Sequence, residues 1–416
     1  MYNPGMLLRH LSLTNFRNYV RLELDLAPGL SIVQGENAQG KSNLLEAIAY
    51  LATSRSPRAG SDAELVNWLV REEPYPYARL AAEVEKHQRV ERLDITLLPA
   101  RNNHRYRKQV RINGVNRRAI DLVGLMPVVL FRPEDVELVA GTPQQRRRYL
   151  DIALCQMEPP YCRALSEYNK TLSQRNALLR HLAEGGGDPV QELRFWNDKL
   201  AETGSLVMAK RQWFINRLER EASLRHLDLS GGFERLRLRY LPSFDPGIRP
   251  EPRQRRYPST ASLRERGVAY EALTPEQVRA SFLAHLQAGL SRDLAAGMTL
   301  LGPHRDDLGF YLGEYNLRTY GSRGQQRTAA LAARLAEVTI MTEAGGTAPI
   351  LLMDDVMSEL DATRRAMLVE ALTSVPQAIV TTTDWEDFQT PLLEHATRLT
   401  VHAGQLTRLS APVETA

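Results

Sequence analysis

One stretch near the N-terminus constrains this chain more than any other: Gly35-Glu36-Asn37-Ala38-Gln39-Gly40-Lys41-Ser42. It fits the phosphate-binding pattern G-x-x-x-x-G-K-[ST] at every fixed position. The apolar run Leu30-Ser31-Ile32-Val33 before it is typical of a short buried strand, and Asn43-Leu44-Leu45-Glu46-Ala47-Ile48 after it is patterned as a helix. An ordinary glycine-containing turn is the alternative, but both flanking elements favour a nucleotide-binding loop.

The residue types in this loop suit a polyphosphate. Gly35 and Gly40 allow the backbone to curl so that successive N–H groups point into one hollow, and the helix that follows adds donors and a partial positive charge. The Lys41 ammonium can reach the outer phosphates, and the Ser42 hydroxyl is placed to ligate Mg²⁺. We therefore predict a site for ATP and Mg²⁺ whose cofactor-binding residues include Gly35, Glu36, Asn37, Ala38, Gln39, Gly40, Lys41 and Ser42.

A second apolar strand, Pro349 to Met353, ends in two carboxylates, Asp354 and Asp355. This arrangement can ligate Mg²⁺ and orient a water at the γ-phosphate. A turn after the strand would also explain two aspartates, but Ser358-Glu359-Leu360-Asp361 extends the pattern. The predicted metal ligands are Ser42 and Asp354, and the predicted catalytic residues are Lys41, Asp354 and Asp355.

A second candidate anion site lies in Tyr320-Gly321-Ser322-Arg323-Gly324-Gln325-Gln326-Arg327, which opens a predicted helix over residues 328–342. One phosphate loop does not need a second anion site in the same polypeptide. We therefore expect Ser322, Gly324 and Gln325 to contact ATP held by another copy, which predicts an ATP-dependent homodimer with two-fold symmetry.

Composition favours a water-soluble globular protein. Of 416 residues, 43% are hydrophobic and 25% are charged, which suits two or three domains or one domain with an insertion. No apolar run has the length of a membrane span and the N-terminus lacks the layout of a secretory signal, so the expectation is a cytoplasmic protein without a membrane partner. The two cysteines, Cys155 and Cys162, are expected to be thiols rather than zinc ligands or a disulfide.

The order of the patterns predicts an inserted lobe. Strand patterns cover residues 7–13, 22–26, 30–34, 78–83 and 93–98, and their hairpins favour a mixed sheet. Thr142-Pro143-Gln144-Gln145 is typical of a capped helix start, and a glycine turn over residues 185–189 separates two helical segments. We predict an ATPase lobe from residues 1–141 and 300–416, and a mainly helical lobe from residues 142–299.

Two basic segments could contact nucleic acid. Residues 101–118 contain seven Lys and Arg residues and no acid around the turn Asn113-Gly114, so they form either a solvated hairpin face or a track for a phosphate backbone. Arg249 to Arg266 is basic and contains proline, which predicts a surface loop. His304 with Asp306 and Asp307 could be a metal cluster, although a structural or interface role is favoured.

These patterns together resemble the ABC-type, SMC-like ATPase heads of chromosome and repair proteins. The resemblance spans nearly the whole chain and rests on the phosphate loop, Asp354 to Asp361, and five further segments: Asn15 to Tyr19, Phe131 to Asp135, Gln174 to Asn176, Gly302 to Asp307 and Ser322 to Arg327. It implies an α/β fold, an ABC-type P-loop head with a mixed sheet and helices plus an inserted α-helical lobe. It also implies a weak ATPase that dimerises on ATP, binds double-stranded DNA near single-strand gaps and acts with the partners RecO and RecR.

The resemblance also assigns residues. Arg17 and Asn18 match a segment beside the nucleotide, and Ser358 to Asp361 match a dimer-contacting loop. Two positions depart from the wider pattern: Asp355 stands where most members carry Glu, which implies slow hydrolysis, and the strand Ala378 to Thr383 ends in Thr where many have a His. Two alternatives remain, a scaffold that binds ATP without turnover and an ATPase subunit of a transporter.

Overall fold

The structure is a computed structural model that describes residues 5–71, 73–100, 106–247, 273–357 and 360–409. The basic segment 249–266 and the pair Ser358 and Glu359 therefore lie outside the described residues. The chain divides into two compact units, residues 1–135 with 334–416, and residues 136–333. The second unit extends beyond the predicted boundary at residue 299 and includes the segment from Ser322 to Gln325.

The fold contains α-helices, short 3-10 helices and strands. The strands are β1 Leu7–Phe16, β2 Tyr19–Asp25, β3 Gly29–Gln34, β4 Ala78–Lys86, β5 Arg89–Pro99, β6 Tyr106–Ile112, β7 Val115–Arg117, β8 Val128–Phe131, β9 Leu236–Leu241, β10 Asp307–Leu312, β11 Tyr315–Asn316, β12 Ile350–Asp354, β13 Gln377–Thr382, β14 Thr397–His402 and β15 Gln405–Arg408. The α-helices are α1 Lys41–Thr53, α2 Ala119–Leu122, α3 Glu137–Ala140, α4 Pro143–Met157, α5 Pro159–Ala183, α6 Pro189–Leu229, α7 Pro275–Ala288, α8 Leu290–Ala296, α9 Leu317–Tyr320, α10 Arg323–Gly345, α11 Ala362–Ser374 and α12 Thr390–His395. The 3-10 helices are Asp62–Leu65, Trp68–Val70, Pro133–Val136 and Trp385–Asp387.

The first unit contains two sheets. One is antiparallel with strand order β2-β1-β4-β5-β6-β7, and the other has the order β15-β14-β3-β13-β12-β8, parallel except for β15 at its edge. The predicted hairpins thus form their own sheet instead of joining the one that carries the phosphate loop. Burial explains the separation: β2 and β4 alternate buried and more exposed residues, whereas β12 and β13 are buried along their whole length, as parallel strands covered on both faces are.

Helix α1 lies in the core of the first unit. Ten of its thirteen residues are buried, and its apolar side chains join one cluster with residues from both sheets. Examples are Ile48 from the helix, Leu13 and Ile95 from the antiparallel sheet, and Leu352 from the parallel sheet, none of them measurably exposed. Because the helix that starts at the phosphate loop is packed all round, the position of the loop is fixed by the core.

The second unit combines long helices with a small sheet. Helix α4 begins as predicted, with a capping box between Thr142 and Gln145 and a proline at the first turn. Strands β9, β10 and β11 form a three-stranded antiparallel sheet. The buried Arg146 side chain in α4 donates to Asp307 in β10 at 2.7 Å and 2.9 Å. This pairing of β10 with β9 and α4 explains why the segment after residue 299 belongs to the second unit.

Cys155 lies in α4 and Cys162 in α5, and the two are thiols rather than a disulfide. Among the described residues, no helix has both the length and the hydropathy needed to cross a membrane.

Candidate nucleotide-binding site

The phosphate loop joins β3 to α1 in a conformation that requires glycine at position 40. Gly40 has φ +122°, and a Cβ there would lie 2.7 Å from Nδ2 of Asn18 and 3.0 Å from the Tyr19 hydroxyl. At Gly35, a Cβ would lie 2.6 Å from the carbonyl oxygen of Val401. Any larger residue at either position would displace the loop from its neighbours. The backbone curl that we predict from the sequence is therefore enforced by close contacts.

Lys41 lies inside this loop and is only 6% exposed. Its ammonium donates to the carbonyl oxygen of Gly35 at 2.5 Å and to that of Glu36 at 3.3 Å. Burial lowers the pKa of Lys41, and the carboxylates of Asp355 and Asp354 act in the opposite direction. The loop thus contains a cation, the Lys41 ammonium, that can bind a phosphate. The carboxylates of Asp354 and Asp355 lie within electrostatic range of it, and that of Asp354 can bind the accompanying metal ion.

The structure brings the two predicted metal ligands together. Asp354 ends β12, and its Oδ1 accepts hydrogen bonds from the Ser42 hydroxyl at 2.8 Å and the Thr381 hydroxyl at 3.0 Å. The loop and the strand meet because parallel strands end at the same edge of a sheet. Hydroxyl and carboxylate oxygens are ligands that Mg²⁺ prefers, so this pair fits the ion that accompanies ATP.

Thr381 is a site residue that sequence reasoning missed. The strand Ala378 to Thr383 drew attention only because it lacks a terminal His. In the parallel pairing of β12 with β13, however, Thr381 is the partner of Asp354. It also accepts a hydrogen bond from the Asp355 N–H on its hydroxyl at 3.0 Å. Asp355 has φ +50°, so the turn after β12 is fixed directly beside the predicted metal ligand.

Arg17 and Asn18 contact the structure around the loop. The Arg17 guanidinium donates to both carboxylate oxygens of Glu46 in α1, at 2.8 Å and 2.9 Å, and to the Glu64 carbonyl at 3.0 Å. The Asn18 amide donates to the Gln39 carbonyl at 2.9 Å and accepts from the Asn43 amide at 2.8 Å. Asn18 thus contacts the loop directly, whereas Arg17 contacts the helix that follows the loop, and both have a supporting role. Contact with the nucleotide itself stays a prediction.

The turn between β14 and β15 also contacts the loop. The N–H of Gly404 donates to the Gln39 carbonyl at 3.0 Å, and the N–H of Ala403 donates to the Gln39 side-chain oxygen at 2.6 Å. Ala403 and Gly404 both have positive φ, which fits a tight hairpin turn. No motif in the sequence marks these residues, because they act through backbone groups.

The second candidate anion site lies in the second unit, at the start of α10. The Ser322 N–H donates to Oε1 of Gln325 at 2.9 Å, and the Gln325 N–H donates to the Ser322 hydroxyl at 3.2 Å. Gly324 is exposed, and a Cβ on it would come no closer than 3.9 Å to the Ser322 hydroxyl. Ser322, Gly324 and Gln325 thus form a cluster in a different unit from the phosphate loop.

The His304 ring is held by hydrogen bonds to other protein groups. Its Nδ1 accepts from the Tyr168 hydroxyl at 2.7 Å, and its Nε2 donates to the Thr299 carbonyl at 3.1 Å. Burial lowers the pKa of His304 to about 4, so the ring is neutral at pH 7. Both ring nitrogens are thus occupied by protein groups, and the metal alternative finds no support here.

Comparisons with known proteins identify relatives along nearly the whole chain. A family model described as "RecF/RecN/SMC N terminal domain" matches residues 7–405. The DNA replication and repair protein RecF of Chloroflexus aurantiacus is 43% identical over 413 residues, covering 96% of this chain and 99% of the relative. RecF of Halalkalibacterium halodurans is 38% identical, with 96% and 99% covered.

Solved structures extend the comparison to three dimensions. A structure described as the recombination mediator protein RecF-ATP in the RecFOR pathway is similar with a TM-score of 0.80 and 31% identity, covering 98% of this chain and 99% of the other. A second, described as RecF-ATPrS, gives a TM-score of 0.82 at 30% identity, again with 98% and 99% covered. These matches confirm the predicted fold class and the resemblance: the chain belongs to the RecF family of SMC-like ABC-type ATPases.

Proposed function

We propose that the protein is an ATP-dependent DNA-binding protein of recombinational repair and replication restart. ATP joins two copies into a dimer that closes over double-stranded DNA near single-strand gaps, and slow hydrolysis releases the DNA. The observation that carries the proposal is the 2.8 Å contact between Ser42 and Asp354, which unites the phosphate loop with the acidic strand end. The names of the relatives and the solved RecF structure with ATP support the repair role.

Each residue of the candidate nucleotide-binding site has its own part in ATP hydrolysis. The loop N–H groups and Lys41 bind the phosphates, and Ser42 and Asp354 ligate Mg²⁺, which neutralises phosphate charge when bound. Asp355 orients the attacking water and accepts its proton. Because Asp is one methylene shorter than Glu, it places its carboxylate less closely, which supports a weak ATPase. We propose that DNA stimulates this turnover.

The dimer supplies the rest of the site. Ser322, Gly324 and Gln325 contact the γ-phosphate held by the other copy. Support comes from the exposure of Gly324 and from the position of this cluster at the start of a 23-residue helix, where backbone donors attract anions. One ATP then forms part of the interface at each of two sites, so assembly depends on the nucleotide.

Exposed arginines of the β6–β7 hairpin are proposed to contact the DNA. Arg107, Arg111 and Arg117 are exposed in this hairpin. Arg118, which follows β7, is also exposed, and its guanidinium donates to the Asp121 carboxylate at 2.9 Å and 3.1 Å. The RecFOR pathway named for the solved relatives supports RecO and RecR as the protein partners.

Mass in solution tests the proposal. Light scattering should give the monomer mass without nucleotide and the dimer mass with ATP and Mg²⁺. Lys41→Ala should abolish ATP binding, whereas Ser322→Arg should bind ATP yet stay monomeric because a bulky cation blocks the second contact. A wild-type mass that does not change with ATP would refute the dimer.

Turnover measurements separate the proposal from its alternatives. If hydrolysis drives release, DNA should raise the ATPase rate, and a non-hydrolysable nucleotide should trap the dimer on DNA. If the protein leaves DNA as fast with the non-hydrolysable nucleotide as with ATP, and partners are recruited normally, the protein is a scaffold that does not need turnover.

A further inference from the structure

Both ends of the Gln325 side-chain amide have a protein partner. Its Oε1 accepts from the Ser322 N–H at 2.9 Å, and its Nε2 donates to Oε1 of Glu234 at 2.6 Å. Ser322 and Gln325 share a second hydrogen bond, because the Gln325 N–H donates to the Ser322 hydroxyl. Glu234 is therefore bonded directly to the segment that we propose contacts ATP in the other copy.

The backbone of Glu234 is anchored by the end of α6. Its carbonyl accepts from Nδ1 of the buried His226 at 3.0 Å, and its N–H donates to the Ser230 hydroxyl at 3.4 Å. Gly231 and Gly232 have φ values of +69° and +86° and turn the chain back after the helix. The Glu234 carboxylate thus projects from a backbone that the long helix fixes in place.

A carboxylate in this position determines which way the amide points. An ionised carboxylate only accepts hydrogen bonds, whereas an amide has one donating end and one accepting end. The donating Nε2 of Gln325 must therefore face Glu234, and the accepting Oε1 must face the Ser322 N–H. Without Glu234, the amide could rotate and the capping of Ser322 would lose its fixed geometry.

We propose that Glu234 is a positioning residue for ATP-dependent dimerisation. It acts through Gln325 to hold Ser322 and Gln325 in the shape that meets the γ-phosphate of the other copy. This inference rests on the proposed function, because it assigns a role only if that segment contacts ATP in a dimer. It adds a residue outside every motif in the sequence.

The test compares dimer affinity with monomer properties. Glu234→Ala should raise the ATP-dependent dimer dissociation constant about tenfold, equivalent to about 1.4 kcal/mol. The affinity of the isolated copy for a fluorescent ATP analogue should not change, because the phosphate loop lies in the other unit. The melting temperature should fall by no more than about 4 °C, because only one side-chain hydrogen bond is lost. Glu202→Ala is the matched control: it removes an exposed carboxylate from α6, the helix that precedes Glu234, about 40 Å before the C-terminal end of that helix by helical rise, and should behave as wild type.

A double-mutant cycle shows whether Glu234 acts through Gln325. Gln325→Ala combined with Glu234→Ala should dimerise no more weakly than Gln325→Ala alone. Additive losses would overturn the proposal, and so would a Glu234→Ala variant with wild-type dimer affinity or with a melting temperature lowered by more than about 4 °C and weaker ATP binding. If wild type itself does not dimerise with ATP, it is the proposed function that fails.

Discussion

At the scale of single residues, the site depends on side chains that only orient other side chains. Thr381 donates to the Asp354 carboxylate that is the predicted metal ligand, and it accepts from the backbone of Asp355. Groups of this kind fix the geometry of a metal ligand without touching the ion, and losing them typically costs 10-fold to 100-fold in metal affinity or activity. Thr381 is therefore as informative a target as the ligands.

Thr381→Val keeps the shape of a buried strand residue and removes its hydroxyl. We expect the Mg²⁺ concentration for half-maximal ATP turnover to rise about tenfold, because Asp354 loses one of its two donors. Steady-state turnover against Mg²⁺ concentration measures this. Thr96→Val, which removes another threonine-to-aspartate hydrogen bond in the antiparallel sheet, is the control and should leave the Mg²⁺ dependence unchanged.

The environment of Arg17 predicts a stability effect. Its guanidinium pairs with Glu46, whose side chain is fully buried. Arg17→Met would leave that carboxylate buried without its cation and should lower the free energy of unfolding by about 3 kcal/mol, measured by urea denaturation. Adding Glu46→Leu should recover most of this loss.

The same double variant tests nucleotide contact by Arg17. Three of its five guanidinium N–H donors are used by protein oxygens, which leaves two for a nucleotide. If Arg17 contacts ATP as predicted, the stable double variant should bind ATP about tenfold more weakly than wild type. Binding within about threefold of wild type would contradict the contact.

At the scale of elements, the basic strand β6 presents its positive side chains in two directions. Arg107 and Arg111 are exposed, whereas Lys108 is turned inward: its ammonium donates to the Ser54 carbonyl at 2.6 Å and lies 4.5 Å from the Tyr50 ring centroid. The uniform positive charge that the sequence shows is therefore divided between a solvent-facing set and a side chain that ties β6 to the end of α1.

This division predicts different effects on DNA binding. Arg107→Ala and Arg111→Ala should each reduce the slope of log affinity against log salt by about 0.9, because each removes one phosphate contact. Lys108→Met should leave the slope unchanged and lower the melting temperature. Fluorescence anisotropy with duplex DNA at several salt concentrations measures the slopes, and equal slopes for all variants would exclude β6 as a DNA contact.

Sequence reasoning predicted the secondary-structure elements better than the contacts between them. The phosphate loop, α1, the strand ending in Asp354 and the capped start of α4 are all local patterns, and each is present. The separation of the two sheets, the pairing of β9 with β10 and the role of Thr381 depend on contacts between distant parts of the chain. Thr381 and Asp354 are 27 residues apart and Arg146 and Asp307 are 161 apart, and no local periodicity records such pairs.

At the scale of the whole molecule, the proposed cycle links hydrolysis to dissociation of the dimer. If Asp355 accepts the proton of the attacking water, Asp355→Asn should slow hydrolysis by at least about 100-fold while ATP still binds. The ATP-bound dimer should then dissociate correspondingly more slowly, which subunit exchange between labelled copies measures. Equal dissociation rates for variant and wild type would contradict this role of Asp355.

The central place of β3 in its sheet bears on how the protein is synthesised. This strand, which carries the phosphate loop, lies between β13 and β14, and Gln34 is hydrogen-bonded to the carbonyl of Thr383, 349 residues later in the chain. On the ribosome, β3 emerges well before both of its neighbours. We therefore expect a nascent chain to acquire its nucleotide pocket only after β13 and β14 have been synthesised, so that products truncated before these strands neither bind ATP nor compete with longer copies for a partner.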